Sequence, residues 1–307
     1  MVESTPWWGG LVLPLVLGVF VLAAAALDSA LAARAAGAPV DVVRPLRDAA
    51  GLLVQQRRNT LAADRLLWRV GGGAVVVAAV LASAATPFGR WVVADMPVGV
   101  VWFNGMEVVA WAAVWLVGWG ANSAFPLVSG YRFVAQGLAY ELPHMFALIT
   151  AAVGAGSLRV GDIVAAQQGL WFVVWMPVAF AVYLLSVLGM SFFRPFDQAT
   201  GADAGGGVLA ELSGVDRLVF VAGRWVLLVS GAAMAVPLFL GGGSGPVLPE
   251  WLWSVVKTAA VLGVLVWAGR RFPTIRVDRF QEVAWLVLVP ATLVQALVVS
   301  VVVLMRG

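Results

Sequence analysis

Eight stretches of this chain are apolar over lengths that cross a bilayer: about 9–31, 68–86, 97–119, 131–154, 165–190, 217–240, 250–268 and 283–304. A helix needs roughly 20 apolar residues to span the hydrocarbon core. Inside lipid every backbone N–H and C=O must find its partner within the protein, which favours helices for such segments. Composition agrees, with 62% of residues hydrophobic and 11% charged, where a soluble domain is about half apolar and about one quarter charged. The expected fold is an all-α polytopic membrane protein with eight transmembrane helices, forming a single membrane domain over 1–307.

The chain contains no cysteine, which excludes disulfides, cysteine-ligated zinc, iron–sulfur ligation and thiol catalysis. A single histidine leaves no His-rich metal site, and no metal is expected. The net charge of +3 does not argue for nucleic acid, because the basic residues are spread through loops, as the positive-inside rule requires. The N-terminus reads as lacking a basic n-region and a small-residue cleavage site, so the first apolar window is expected to be a span rather than a signal peptide.

Arg34, Arg44, Arg47, Arg57, Arg58 and Arg65 stand in loop one, Arg194 and Arg217 in loop five, and Arg270, Arg271, Arg276 and Arg279 in loop seven. Arg90 and Arg159 stand in loops on the opposite side. The odd loops are therefore expected at the cytoplasmic face and both termini outside. Over about 42–57, Val42, Val43, Leu46, Ala49, Ala50, Leu53 and Val54 recur at helical spacing with arginines opposite. That pattern predicts an amphipathic helix lying in the membrane interface. Loop five, about 191–216, contains Gly205, Gly206 and Gly207, which predict a pliable segment. No GK[ST] follows them, so they do not form a phosphate-binding loop. No internal repeat is visible, unlike the commonest secondary transporters.

The fourth window places Glu141 and the only histidine, His144, three residues apart, which is one helix face. A carboxylate near the bilayer centre costs on the order of 2.5–3.5 kcal/mol on insertion scales. A carboxyl group shielded from water favours its neutral form, which suits it to taking up and releasing a proton. Pro143 frees the carbonyl of Ala139 and predicts a bend beside the carboxylate. Glu141 thus leads the candidates for a proton path; the other reading pairs it with Arg132 or His144 to hold helices together. Glu107 lies mid-span one turn after Asn104, either as a proton carrier or as a helix–helix hydrogen-bond partner. His144 taken alone is a packing residue, and its spacing from Glu141 adds a relay role. Asp28 sits near the cytoplasmic end of window one, where it reaches water. Lys257, about a third of the way into window seven, either snorkels or supplies a buried positive charge. Arg224 in window six is similar.

An ordered set of short motifs then carries a family resemblance. Trp91-Val92-Val93-Ala94-Asp95 precedes window three, and Gly118-Trp119-Gly120-Ala121-Asn122-Ser123 follows it. Ala139-Tyr140-Glu141, Gly161-Asp162-Ile163-Val164, Pro195-Phe196-Asp197-Gln198, Glu211-Leu212-Ser213-Gly214 and Lys257-Thr258 come next in order. From about Asp28 to the C-terminus the chain resembles the H-type membrane subunits of bacterial NADH-quinone oxidoreductase (respiratory complex I), whose mitochondrial homologue is subunit 1. The resemblance implies a membrane subunit that forms part of a quinone chamber and links quinone reduction to proton transfer. It implies quinone as substrate, with NADH, flavin and iron–sulfur clusters held on partner subunits. The implied partners are soluble quinone-site subunits, other membrane-arm subunits and membrane lipid, in a bacterial plasma membrane. By the same resemblance Glu141 maps onto a central member of a chain of carboxylates, Asp28 onto an acid at the end of span one, and Glu211 onto an acid closing loop five. Arg194, Phe196, Asp197 and Asp203 fall in the loop that lines the chamber, which is entered between span one, the interfacial helix and span six.

The chain also departs from the family pattern. Several family glutamates after Pro-Phe-Asp-Gln are replaced by Ala-Thr-Gly-Ala-Asp-Ala-Gly-Gly-Gly, Leu212 replaces a tyrosine, and Arg224 stands where a glutamate is expected. Glu107 stands where a small apolar residue is expected and is a candidate to replace some of the lost acid. These departures keep other readings open: a membrane anchor of a related hydrogenase, a paralogue without proton coupling, or a non-redox transporter built on Glu107, Glu141 and Lys257.

Overall fold

A computed structural model of the chain describes residues 2–306. Twelve α-helices follow in order: α1 (Gly9–Ala35), α2 (Arg44–Val54), α3 (Arg65–Ser83), α4 (Gly99–Gly120), α5 (Ala124–Ala155), α6 (Val160–Ala166), α7 (Phe172–Trp175), α8 (Pro177–Met190), α9 (Gly214–Phe239), α10 (Glu250–Arg271), α11 (Val277–Val283) and α12 (Val289–Arg306). A π-helical turn, Ala284–Leu288, joins α11 to α12, so that Val277–Met305 runs as one long apolar helix. Strands β1 (Glu3–Ser4) and β2 (Trp91–Val92) pair in parallel with Glu3 opposite Trp91. This contact, which helical periodicity does not signal, ties the N-terminal segment to the loop between α3 and α4.

Among the described residues seven helices are long and apolar enough to cross a membrane: α1, α3, α4, α5, α9, α10 and the α11–α12 unit. The chain is a multi-pass membrane protein. The eighth expected crossing, 165–190, is not one continuous helix. The chain leaves helical geometry after Ala166, makes the single turn of α7, and breaks again at Met176, which has φ −122° and ψ 46°. Proline disfavours helical geometry in the residue before it and brings no N–H of its own. Pro177 therefore begins a helix, and the 14 residues of α8 rise only about 21 Å.

Fully buried Gln167 makes this break tenable inside the bundle. Its amide nitrogen donates to the carbonyls of Ile163 (3.1 Å) and Pro237 (2.7 Å). Its amide oxygen accepts from the N–H groups of Phe172 (3.1 Å) and Gly241 (3.0 Å). One side chain thus serves α6, the start of α7 and the end of α9, where freed backbone groups need partners.

Helix α9 is the axis of the packing: 72% of its apolar window is buried, against 17–50% in the other six spans. It touches α1, α3, α8 and α10. Helices α4 and α5 form an adjoining layer with α8 and α12. Small residues set the closest approaches, as expected where lipid offers no hydrophobic drive. A side chain at Gly71 of α3 would meet the carbonyl oxygen of Ala113 in α4 at 2.6 Å. Asp64 caps α3, its carboxylate accepting from the N–H groups of Leu66 (3.1 Å) and Leu67 (3.0 Å). Helix α2 has no buried residue, with Val42, Val43, Leu46, Leu53 and Val54 all exposed. Its following segment docks on α9, where Gln55 Oε1 accepts from the N–H of Gly214 (3.0 Å).

Loop five is not slack. Phe192, Phe196, Ala199, Ala204, Val208 and Leu212 are buried. Gly205, Gly206 and Gly207 adopt positive φ (61°, 96° and 61°) within tight turns. A side chain at Gly207 would collide with the carbonyl oxygen of Ala199. The glycines serve close packing here rather than mobility.

Replacing Gln167 by leucine leaves two buried N–H groups without their acceptor. Each costs about 1–3 kcal/mol, so the variant is expected to lose several degrees in the thermal midpoint of the detergent-solubilised protein. An unchanged midpoint would mean that the break does not depend on this side chain.

Candidate functional site: a buried acid cluster and a polar cavity

Two polar zones carry most of the residues singled out above. The first lies between α4 and α5. Glu107 and His144 are both fully buried, and His144 Nε2 stands 3.3 Å from Glu107 Oε2. Half-buried Glu141 accepts a hydrogen bond at Oε1 from the Asn104 amide at 2.8 Å. The two acids of adjacent helices are thus cross-connected: the imidazole on α5 faces the acid of α4, and the amide on α4 faces the acid of α5. Neither Arg132 nor His144 is the hydrogen-bond partner of Glu141. Arg132 pairs instead with Asp203 at 2.7 Å.

Aromatic rings enclose the cluster. The His144 ring stacks on Tyr183 with centroids 5.1 Å apart and lies 6.3 Å from Phe103. Tyr183 donates to the carbonyl of Gly231 at 2.9 Å. Tyr140, fully buried beside Glu141 in the chain, accepts from the indole N–H of Trp111 at 2.5 Å. The Trp111 ring reaches it because position 137 is glycine, where a side chain would stand 2.7 Å from the indole. Helix α5 runs on through Pro143. Oε2 of Glu141, Oδ1 of Asn104, Nδ1 of His144 and Oε1 of Glu107 are buried without a hydrogen-bond partner among the described residues. Buried polar atoms of this kind are expensive unless protons or water serve them. The cluster therefore suits movable protons better than permanent structural bonds.

The second zone is a cavity of about 330 Å³ at the loop-five end of the bundle, lined by Asp28, Phe193, Arg194, Asp197, Arg224 and Arg270 among others. Asp28 of α1 is held by a two-point hydrogen bond from Arg270 of α10, so it is not a freely solvated span end. Asp197 accepts from Arg194 Nε (3.1 Å) and from the Thr274 hydroxyl (2.7 Å). Arg224 donates to the carbonyls of Ser191 (3.3 Å) and Phe192 (2.7 Å), and its guanidinium covers the Phe193 ring at 4.0 Å. It thus holds the end of α8, where free carbonyls attract a cation. On the other side of the same helix end, the Gln136 amide donates to the carbonyl of Gly189 at 2.8 Å. Gln136 lies one turn before Tyr140 on α5, so polar groups stand between the cavity and the acid cluster. Nothing in the sequence pairs Gln136 with α8; its place in an apolar window is the available signal.

The remaining candidates lie apart from both zones. Phe196 is buried against the Phe280 ring, centroids 4.2 Å apart, and does not line the cavity. Glu211 accepts from the Ser123 hydroxyl at 2.9 Å, next to the start of α5. Asp203 is engaged with Arg132, also on α5. Lys257 does not snorkel: its ammonium donates to the carbonyls of Leu240 (2.7 Å), Gly242 (2.9 Å) and Ser244 (2.7 Å) and sits 4.0 Å over the Trp171 ring. It caps the end of α9 with all of its donors in use. Among the described residues no group of three or more metal-ligating side chains stands ready to hold an ion.

The geometry of Glu107 and His144 sets a test. Removing one member of a buried pair costs about 3–5 kcal/mol, whereas replacing both by apolar groups is often neutral. His144→Phe, which keeps the ring stack, is therefore expected to destabilise clearly, and adding Glu107→Leu to recover most of the loss in thermal denaturation. Additive losses would mean that the two side chains do not act as a pair.

Comparison with known proteins identifies the family. The family model described as NADH dehydrogenase matches residues 11–300. The chain is 34% identical over 272 residues to the second H-type subunit of NADH-quinone oxidoreductase from Geobacter sulfurreducens, covering 85% of this chain and 82% of the relative. It is 33% identical over 280 residues to the first H-type subunit of the same enzyme from Geobacter metallireducens, covering 87% and 85%. It is 29% identical over 322 residues to the H-type subunit of Geobacillus kaustophilus, covering 98% and 97%. With a match that runs from α1 into α12 and includes both polar zones, the chain belongs to the NADH dehydrogenase family of complex I subunit 1.

Proposed function

We propose that this chain is the membrane subunit of a proton-translocating NADH-quinone oxidoreductase, forms part of its quinone chamber and links quinone reduction to proton transfer. Reducing a quinone to a quinol consumes two electrons and two protons. The electrons come from carriers on partner subunits, since this chain has no cysteine to ligate an iron–sulfur cluster. Its own contribution is to hold the quinone near the membrane surface and to answer the charge change with proton movement.

One observation carries the reading: buried Glu107 and half-buried Glu141 stand on adjacent helices with buried His144, and several of their polar atoms have no hydrogen-bond partner among the described residues. The cavity of Asp28, Arg194, Asp197 and Arg224 lies at the loop-five end, between α1, α9 and α10, and fits the quinone side of the path. In this reading α7 and α8 together make the eighth crossing, α2 lies in the interface beside the quinone entrance, and both termini face outward. The exposed apolar face of α2 and the arginines of the odd loops support that orientation. Glu107 takes over part of the charge missing from loop five. Glu211, engaged with Ser123 just before α5, and Asp203, engaged with Arg132 in its third turn, would link loop five to the helix that bears Glu141.

In membranes with the complex assembled, Glu141→Gln is expected to lower NADH-driven quinone reduction at least about tenfold without loss of subunits from the purified complex. Glu107→Gln is expected to lower the protons moved per quinone reduced. Proton pumping unchanged by Glu107→Gln would remove that residue from the path. Purification in mild detergent without NADH-oxidising or quinone-site companions would overturn the assignment to this enzyme.

A further inference from the structure

Opposite the loop-five cavity, the end of the bundle bearing the N-terminal segment has a second pair of hollows. One is an apolar cavity of about 250 Å³ lined by Trp8, Val12, Leu13, Val16, Trp251 and Val255 among others. It runs from the start of α1 down to Val16, about 10 Å of helical rise. The other, about 380 Å³, is lined by Arg90, Trp91, Pro249, Glu250 and Trp251. Trp91 and Trp251 belong to both and form the wall between them. An apolar slot that adjoins a charged hollow at two tryptophans matches an amphiphile at the membrane surface, where indole rings settle.

The charges narrow the class. Arg90 and Glu250 line the same hollow, and no ion pair joins them among the described residues. Arg90 lies over the Trp91 ring at 5.0 Å, with its fork of donors free for an anion. Glu250 stands in the first turn of α10. One fixed cation and one fixed anion, side by side and unneutralised by each other, complement a zwitterion. The buried hydroxyl of Thr5, which has no hydrogen-bond partner among the described residues, lines the apolar slot and offers a donor for an ester carbonyl. The pairing of β1 with β2 holds Thr5 in place, its N–H donating to the carbonyl of Val92 at 2.7 Å.

We infer that this double cavity is a binding site for a phospholipid with an ammonium-bearing headgroup, its phosphate on Arg90, its primary amine on Glu250 and one acyl chain in the slot of Val12, Leu13, Val16 and Val255. The site is remote from the loop-five cavity and does not depend on the proposed function. An anionic glycerol headgroup would meet Glu250 unfavourably. A trimethylated headgroup would fill the hollow but donate no hydrogen bond to the carboxylate.

The test uses the intact complex, purified in mild detergent and placed in nanodiscs containing a phosphatidylethanolamine with a photoreactive acyl chain. Labelling of the peptides that contain Val12 and Val255 is expected, and it should exceed that from the matching phosphatidylglycerol probe. Arg90→Gln is expected to lower the labelling about tenfold, the loss of one charge-assisted hydrogen bond. Val12→Trp, which fills the slot and leaves the charged hollow intact, is expected to abolish it. Labelling absent in the unaltered complex would overturn the site, including the case where a neighbouring protein of the complex covers it. Equal labelling by both headgroups would overturn the role given to Arg90 and Glu250.

Discussion

The requirement that no polar group be left without a partner away from water governs this bundle more than any apolar contact does. Apolar side chains are interchangeable in lipid, so they say little about which helix meets which. The polar ones do say. Gln167 joins α6, α7 and α9 through four hydrogen bonds. Lys257 closes the other side of the same helix end with three more. Arg270 and Asp28 clasp α10 to α1. Each removes a penalty that would otherwise count against the fold.

The same requirement sets the acid cluster apart. The side-chain donors and acceptors of Gln167 and the ammonium of Lys257 are answered by backbone groups of the break. Around Glu107, Glu141 and His144 several are not. A fold that meets those needs through Gln167 and Lys257 leaves these atoms without hydrogen-bond partners among the described residues. The end of α8 lies between this cluster and the loop-five cavity, held by Gln136 on one side and Arg224 on the other. With arginine at 224 the cavity is lined by Arg194, Arg224, Arg270, Asp28 and Asp197, each tied to another of them or to a carbonyl. Charge at this end is therefore redistributed rather than simply removed.

Much of this is legible in the chain. Windows of hydropathy locate seven crossings, five of them to within about four residues at each end, while α5 and the last span begin earlier than their windows, at Ala124 and Val277; the helical spacing of Val43, Leu46, Ala50 and Leu53 locates α2. Glu141, His144 and Glu107 stand out because charge in an apolar window has few uses. Their partners are less legible. Spacing along one helix suggests Glu141 with His144 and Glu107 with Asn104, yet the contacts cross between α4 and α5, because residues on facing helices approach more closely than their spacing in the sequence can express. The break before Pro177 escapes such a reading because the window 165–190 is apolar on average despite Gln167 and Gln168, and hydropathy does not register whether a backbone is continuous.

The sequence by itself determined the family, the helical class and the residues whose burial demands an explanation, since these follow from transfer energies and from order along the chain. Only the tertiary structure decided that His144 faces Glu107, that Asn104 serves Glu141, that Lys257 is a helix cap and that Phe196 packs on Phe280 instead of lining the cavity. The reason is geometric. A side chain's environment depends on helix rotation and on the small residues that let backbones approach, as at Gly71 and Gly137, and those are properties of the assembled bundle rather than of any one window.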